Sequence, residues 1–185
     1  MRAIPRIVLI VKGAAIVPFV RFFRAHRLAG VAFAAAVVTG AVLPAAAAPH
    51  DGDLAPSFTL PKATGGSLTL SQYRGKAVYL NFFASWCGPC NSEAATVAQL
   101  YAKYHRRGLM TIGVNEQEDK SKALGFARKY KWPFAIALDD GNMGKDYGAI
   151  GLPIHVFIDK SGKISTYRLG EMSRDEIEDA LKKIL

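Results

Sequence analysis

The most constraining feature of the chain is a junction. Ala77 to Phe83 (Ala-Val-Tyr-Leu-Asn-Phe-Phe) is a nearly continuous apolar run, the pattern of a central strand buried on both faces. Three residues later stands Trp86-Cys87-Gly88-Pro89-Cys90. A helical pattern follows at once, predicted over about Gly88 to Arg106, with Ala94, Val97, Ala98, Tyr101 and Tyr104 on one face. A buried strand feeding straight into a helix N-terminus calls for an α/β sheet.

The remaining segments agree with that class. Asp51 to Thr64 is a leading segment with a short extended piece at Ser57 to Leu60. Gly65-Gly66 is a turn and Ser67 to Leu70 alternates like a strand. Ser71 to Gly75 reads as a turn. Leu109 to Val114 is the next buried strand, and Asp119 to Lys131 a helix closed by Trp132-Pro133. Phe134 to Leu138 is a strand. Asp139 to Tyr147 is a loop with one helical turn. Ile154 to Asp159 and Lys163 to Leu169 form a hairpin about Lys160-Ser161-Gly162. Ser173 and Glu176 have capping-box spacing at the start of a last helix. This order predicts a mixed sheet with helices on both faces.

Charge divides the chain in two. There are 24 Lys and Arg against 15 Asp and Glu, a net charge of +9. Six of the basic residues (Arg2, Arg6, Lys12, Arg21, Arg24, Arg27) and no acidic one lie in residues 1–48, which leaves residues 49–185 only mildly basic. No basic stripe with interleaved aromatics is present, so nucleic acid is not the expected partner. Leu28 to Ala48 carries no charge over 21 residues and ends in Ala45-Ala46-Ala47-Ala48. Basic region, apolar stretch and small residues describe a secretory signal peptide. The run also reaches the ~20 residues of a membrane span, so an uncleaved N-terminal membrane anchor is the second reading. Ile7 to Val20 is a further apolar stretch broken by Lys12. It reads either as a long leading region or as sequence upstream of a start near Val20. Every reading exports residues 49–185 to a periplasmic or other extracytoplasmic, oxidising compartment, and only the uncleaved one leaves the protein on a membrane.

Two cysteines are too few for a disulfide scaffold or a four-Cys zinc site, and His26, His50, His105 and His155 are scattered, so no metal is expected. Haem attachment needs His after the second Cys, and Asn91 stands there. A disulfide between residues three apart closes too small a loop to stabilise much. Redox chemistry fits better. A helix N-terminus offers unpaired N–H groups and partial positive charge, which favour a thiolate at Cys87. Pro89 suits the first turn because its missing N–H has no partner there anyway. Cys87, the more exposed, attacks a substrate disulfide; Cys90, one turn deeper, attacks the mixed disulfide and releases the product. The redox-active Cys87–Cys90 pair then needs no cofactor.

Four segments carry a resemblance to the exported thioredoxin-fold proteins of the TlpA/ResA/CcmG group. They are Ala55 to Leu60, Tyr79 to Cys90, Ile112 to Asn115 and Gly151 to Asp159. The resemblance spans nearly all of residues 49–185, the thioredoxin-like domain. It implies a central mixed sheet flanked by helices, with an N-terminal β extension and an insertion after the second core strand. It implies that Pro153 is cis and faces the Cys pair, and that Trp86, Gly88, Pro89, Leu152 and Pro153 bind substrate. Glu93 matches an acidic residue beside the family's active site, able to tune the thiol or relay a proton. Its other reading is a solvated first-turn helix residue. Asn81 stands where cytoplasmic thioredoxins carry a buried Asp, which adds weight to Glu93.

Leu152, Ile154 and His155 are bulkier than the small residues common around that proline. His155, on a strand beside a core, reads more readily as a satisfied partner than as a site residue.

The activity implied is that of a protein-disulfide oxidoreductase. The Gly-Pro pair resembles reducing members, so a reductase is expected. Its clients would be exported thiol proteins, as in cytochrome c maturation or metal-site assembly, and its electrons would come from a membrane thiol donor. Two alternatives stand beside it. A thiol peroxidase of the redoxin type wants Thr three residues before the attacking Cys, where Ala84 stands. A non-catalytic binding or chaperone module would use the groove near Pro153 without turnover.

Overall fold

A computed structural model describes residues 48–185. The leader expected in residues 1–48, with its cleavage or anchoring, lies outside the described residues except for Ala48.

The strand before the cysteines is β3 (Ala77–Phe83), and all seven of its residues are buried. Alternation sends Tyr79 and Phe83 into one core, and Val78, Leu80 and Phe82 into the other. Each large apolar side chain buried this way contributes roughly 1.5–3 kcal/mol. β3 is the middle of a five-stranded sheet. β4 (Leu109–Glu116) pairs parallel with it and β5 (Ala135–Asp139) pairs parallel with β4. On its other side β6 (Ile154–Ile158) and β7 (Ile164–Leu169) add an antiparallel hairpin. The sheet order is β5-β4-β3-β6-β7.

The first core combines the sheet with α1 (Gly88–Tyr104), α2 (Lys120–Lys129) and α4 (Arg174–Ile184). The second lies under α3 (Asn142–Asp146) and an antiparallel hairpin of β1 (Thr59–Pro61) and β2 (Ser67–Thr69). That hairpin is the N-terminal β extension, tied to β5 through an N–H of Ala63 donating to Ile136 O at 2.9 Å. The insertion after the second core strand is α2 with β5. This is a thioredoxin fold.

Several expected boundaries shift. The segment Ser71 to Gly75 contains part of a 3-10 turn over Leu70–Tyr73 rather than a plain turn. The first helix stops at Tyr104, gives way to a 3-10 turn over His105–Arg107, and ends at Gly108 with φ 96°. Its buried face is Cys90, Glu93, Ala94, Val97, Leu100 and Tyr104. Ala98 and Tyr101, expected on that face, are half-buried. The stripe is turned because α1 packs both on the sheet and against α4, which lies on the same core, and one polar residue, Glu93, lies inside it. β4 runs two residues beyond Val114, to Glu116. The Ser173–Glu176 capping box is present: Ser173 N donates to Glu176 Oε2 at 2.8 Å, and Glu176 N to Ser173 Oγ at 3.4 Å.

Candidate active site

Cys87 and Cys90 form a disulfide, with Cα atoms 5.3 Å apart. Cys87 is the N-cap of α1, and its Sγ accepts the N–H of Cys90 at 3.2 Å. The sulfur therefore occupies the place of a capping oxygen, where the unpaired N–H groups of the first turn favour negative charge. Cys87 is the more accessible sulfur residue, as expected, but only by a small margin: 4% exposed against 1% for Cys90.

Around this buried pair the rim is open. Trp86 is 71% exposed, and Gly88 and Pro89 are also exposed. The Leu152–Pro153 peptide bond is cis. Phe82 pairs with Ile154, so the register sets Pro153 opposite Phe83, at the end of β3 that leads to Cys87. Leu152 is half-buried against the core that holds both cysteines rather than standing free in a groove. Ile150, three residues before the proline, is 89% exposed.

A polar clamp holds the loop between Phe83 and Cys87. Glu118 accepts from Ser85 N at 2.7 Å, from Ser85 Oγ at 2.6 Å and from Asn115 Nδ2 at 2.9 Å. Burial pushes the Glu118 carboxyl up. The Ser85 hydroxyl and N–H, the Asn115 amide and the Lys122 charge outweigh it and hold the group below its ordinary value. From α1, Asn91 Nδ2 donates to Ser85 O at 3.0 Å and Cys87 O at 2.8 Å, while its Oδ1 accepts from Tyr130 Oη at 2.6 Å. Sequence reasoning missed Ser85, Asn91 and Glu118 in this role. Their partners come from three separate segments, and no local spacing marks them.

Behind the cysteines lies a second network. Glu93, one helical turn after Cys90 on the buried face of α1, is only 4% exposed. The solvated first-turn reading of Glu93 is therefore wrong: the side chain points into the core. Its Oε1 accepts from Asn81 Nδ2 at 3.2 Å and its Oε2 from Met172 N at 3.3 Å. His155 is fully buried; its Nδ1 is 2.7 Å from Tyr79 Oη, and its Nε2 is 3.3 Å from Glu93 Oε2 without a well-aligned hydrogen bond. A buried polar atom left so costs about 1–3 kcal/mol. His155 is thus a satisfied partner at one nitrogen only. Burial, then the Glu93 charge, raise the Tyr79 hydroxyl well above its ordinary value, against the Asn81 hydrogen bond. Tyr79 is therefore a neutral phenol here.

Comparison with known proteins agrees with this geometry. The Redoxin family matches residues 50–184. The thiol-disulfide oxidoreductase ResA of Bacillus thuringiensis subsp. konkukian is 36% identical over 72% of this chain and 78% of its own length. ResA of Geobacillus thermodenitrificans is 35% identical over 72% and 77%. Among solved structures, a thiol:disulfide interchange protein DsbE from Chlorobium tepidum superposes with a TM-score of 0.68 at 33% identity, covering 75% of this chain and 99% of that one. A secreted disulfide oxidoreductase of Mycobacterium tuberculosis, homologous to E. coli DsbE, gives 0.63 at 26% identity over 68% and 95%. A buried cysteine pair capping a helix, on this sheet and among these relatives, has one reading: the chain belongs to the redoxin family, as a thioredoxin-fold protein thiol-disulfide oxidoreductase of the TlpA/ResA/CcmG group.

Proposed function

We propose that the protein works as an exported thiol:disulfide reductase that passes two electrons to client proteins, using its own cysteine pair and no added cofactor. The single observation that carries this reading is the sulfur of Cys87 capping α1 through the Cys90 N–H. In the reduced protein the same cap favours a Cys87 thiolate. That thiolate attacks one sulfur of a client disulfide. The client S–S bond breaks, its other sulfur leaves and takes a proton, and Cys87 is held in a mixed disulfide. Cys90 then gives up its proton and attacks Cys87 Sγ. The bond from Cys87 to the client breaks, and the second client sulfur is released and protonated. Two electrons and two protons have moved, and Cys87–Cys90 is closed.

Glu93 accepts the Cys90 proton in the resolving step, directly or through water. Its burial on the cysteine face of α1 supports this, because a solvated carboxylate would have little leverage on a buried thiol. Trp86, Gly88, Pro89 and Leu152 bind the client, and the backbone at Pro153 pairs with an extended client segment as strand addition does. The exposure of Trp86, Gly88 and Pro89 supports the rim assignment. The clients are exported thiol proteins, of the kind handled in cytochrome c maturation or metal-site assembly. A membrane thiol donor restores the reduced pair, and residues 1–48 export the domain to the periplasmic side as a signal peptide or anchor.

A Cys90→Ser variant tests the chemistry by accumulating the client as a stable mixed disulfide on Cys87, and the adduct names the client class. Cys87→Ser abolishes disulfide reduction; a wild type that reduces no disulfide, with client binding unchanged in Cys87→Ser, would point to a binding module. The direction of electron flow is read from the reduction potential. A value near that of the strong oxidants, about −120 mV, would overturn the reductase assignment.

A further inference from the structure

Two polar side chains from the central strands, Asn81 and His155, meet Glu93, and Tyr79 joins both of them; together they fix where protons sit. Asn81 and His155 are directly opposed across the β3–β6 pairing, and Tyr79 lies two residues before Asn81. Asn81 Nδ2 donates both to Glu93 Oε1 and to Tyr79 Oη, each at 3.2 Å. Tyr79 is 2% exposed, so its hydroxyl proton needs a protein acceptor, and His155 Nδ1 at 2.7 Å is the one in reach. An imidazole accepting at Nδ1 carries its proton on Nε2. That nitrogen lies 3.3 Å from Glu93 Oε2 and has no other partner among the described residues.

We propose that His155 is a positioning residue of the redox site: its Nε2–H, oriented by Tyr79, holds the Glu93 carboxylate and sets how readily Glu93 takes the Cys90 proton. This rests on the reading of Glu93 given above. No new covalent step is added. In resolution the Cys90 proton goes to Glu93 while Cys90 Sγ forms its bond to Cys87 Sγ and the bond from Cys87 to the client breaks. His155 keeps its own proton and shifts from pairing a carboxylate to facing a carboxylic acid. The loosely aligned Nε2–H has room to tighten on the charged form and relax on the neutral one, which lets one buried site hold both.

Other charged groups reach the imidazole. Arg168 on β7 is paired with His155 in register. Glu176, in the first turn of α4, is held below the usual carboxylate range first by the Ser173 hydroxyl and backbone, and more weakly by Arg168 and then His155. A pH profile must therefore be read against variants at Glu93 and not from His155 alone.

The test is the rate of mixed-disulfide resolution in the full chain, measured from pH 5 to 9 with a model peptide disulfide, in five proteins: wild type, Glu93→Gln, His155→Phe, His155→Gln and the Glu93→Gln/His155→Phe pair. His155→Phe should slow resolution on the order of 10-fold and change the pH profile, the scale of coupling between groups in direct contact. His155→Gln restores an N–H donor without a titrating ring and should recover most of the rate. In the pair, loss of His155 should cost nothing beyond loss of Glu93. If Glu93→Gln is slow but folded His155→Phe has the wild-type rate and profile, or if the two losses simply multiply, the His155 role is overturned while the Glu93 role stands. If Glu93→Gln itself resolves normally, both fall. Should His155→Phe fail to fold, His155→Asn, whose amide is too short to reach Glu93, takes its place: the wild-type rate and profile overturn the proposal, and a slowed rate that adds nothing on the Glu93→Gln background supports it.

Discussion

Glu93 and Glu116 are both buried acids in the same domain, at 4% and 6% exposure, yet their company is opposite. Glu93 is met by donors: the Asn81 amide, the Met172 N–H and the edge of His155. Glu116, at the end of β4, is met by another acid. Asp139 is its register partner on β5 and is itself occupied by N–H groups of Met143 and Gly144, at 3.1 and 2.7 Å. Among the described residues Glu116 Oε1 has no hydrogen-bond partner, and the absence of a side chain at Gly144 makes room for the carboxyl, since a Cβ there would lie 2.8 Å from Oε2. Burial first, then the Asp139 charge, push the Glu116 carboxyl from 4.5 to about 8. One acid is ringed by donors on the buried face of the helix that carries the cysteines. The other is pushed toward its protonated form at the sheet edge, where Asp139 and not Glu116 holds the N–H groups of α3. Burial of a carboxylate is thus no sign of its task; the partners decide it.

The largest effect should come from Glu93→Gln, which is expected to slow client release about 100-fold, the range of lost general acid–base help, with a melting temperature close to wild type. Stopped-flow resolution beside a thermal melt checks it, and a wild-type rate would erase the contrast with Glu116. Next comes Glu116→Gln, with turnover unchanged but stability altered in a pH-dependent way. The folded carboxyl titrates at about 8 against 4.5 unfolded, so its contribution is intact below pH 4.5 and is lost as the pH climbs through about 8. Relative to wild type the Gln variant should gain of order 2–4 kcal/mol at pH 8.5 and nothing at pH 4, by urea melts at both values. A smaller change sharpens the same point. Asp139→Asn removes the charge that opposes ionised Glu116, so the loss of stability between pH 4.5 and 8 should shrink, at a cost of about 1 kcal/mol at low pH for one weakened cap on α3. The smallest is Ser173→Ala, about 1 kcal/mol from a lost capping box next to the Met172 N–H that meets Glu93, read by chemical denaturation.

Much of this architecture is legible in the sequence because it rests on local signals. The apolar run of β3 is wholly buried, the capping box starts α4, and the Cys87–Cys90 spacing sets two sulfurs on one helical turn. Glu93 was visible as a candidate, but its burial was not. Helical spacing puts it three residues from Cys90, and only the packing of α4 and the turn at Met172 over α1 removes it from water. His155 carries no local mark either, since its partners Tyr79 and Asn81 lie 76 and 74 residues away in sequence. The same holds for Glu118, whose grip on Ser85 spans 33 residues. Contacts of that reach belong to strand order, which hydrophobic periodicity does not encode.

The place of β3 in the sheet has a further consequence. Fraying spreads inward from margins, and the margins here are β5 and β7. Local opening at either side has to dismantle a whole neighbour before it reaches the segment that delivers Cys87. The strand that carries the chain to Cys87 is thus held by pairing along both of its sides, parallel to β4 and antiparallel to β6.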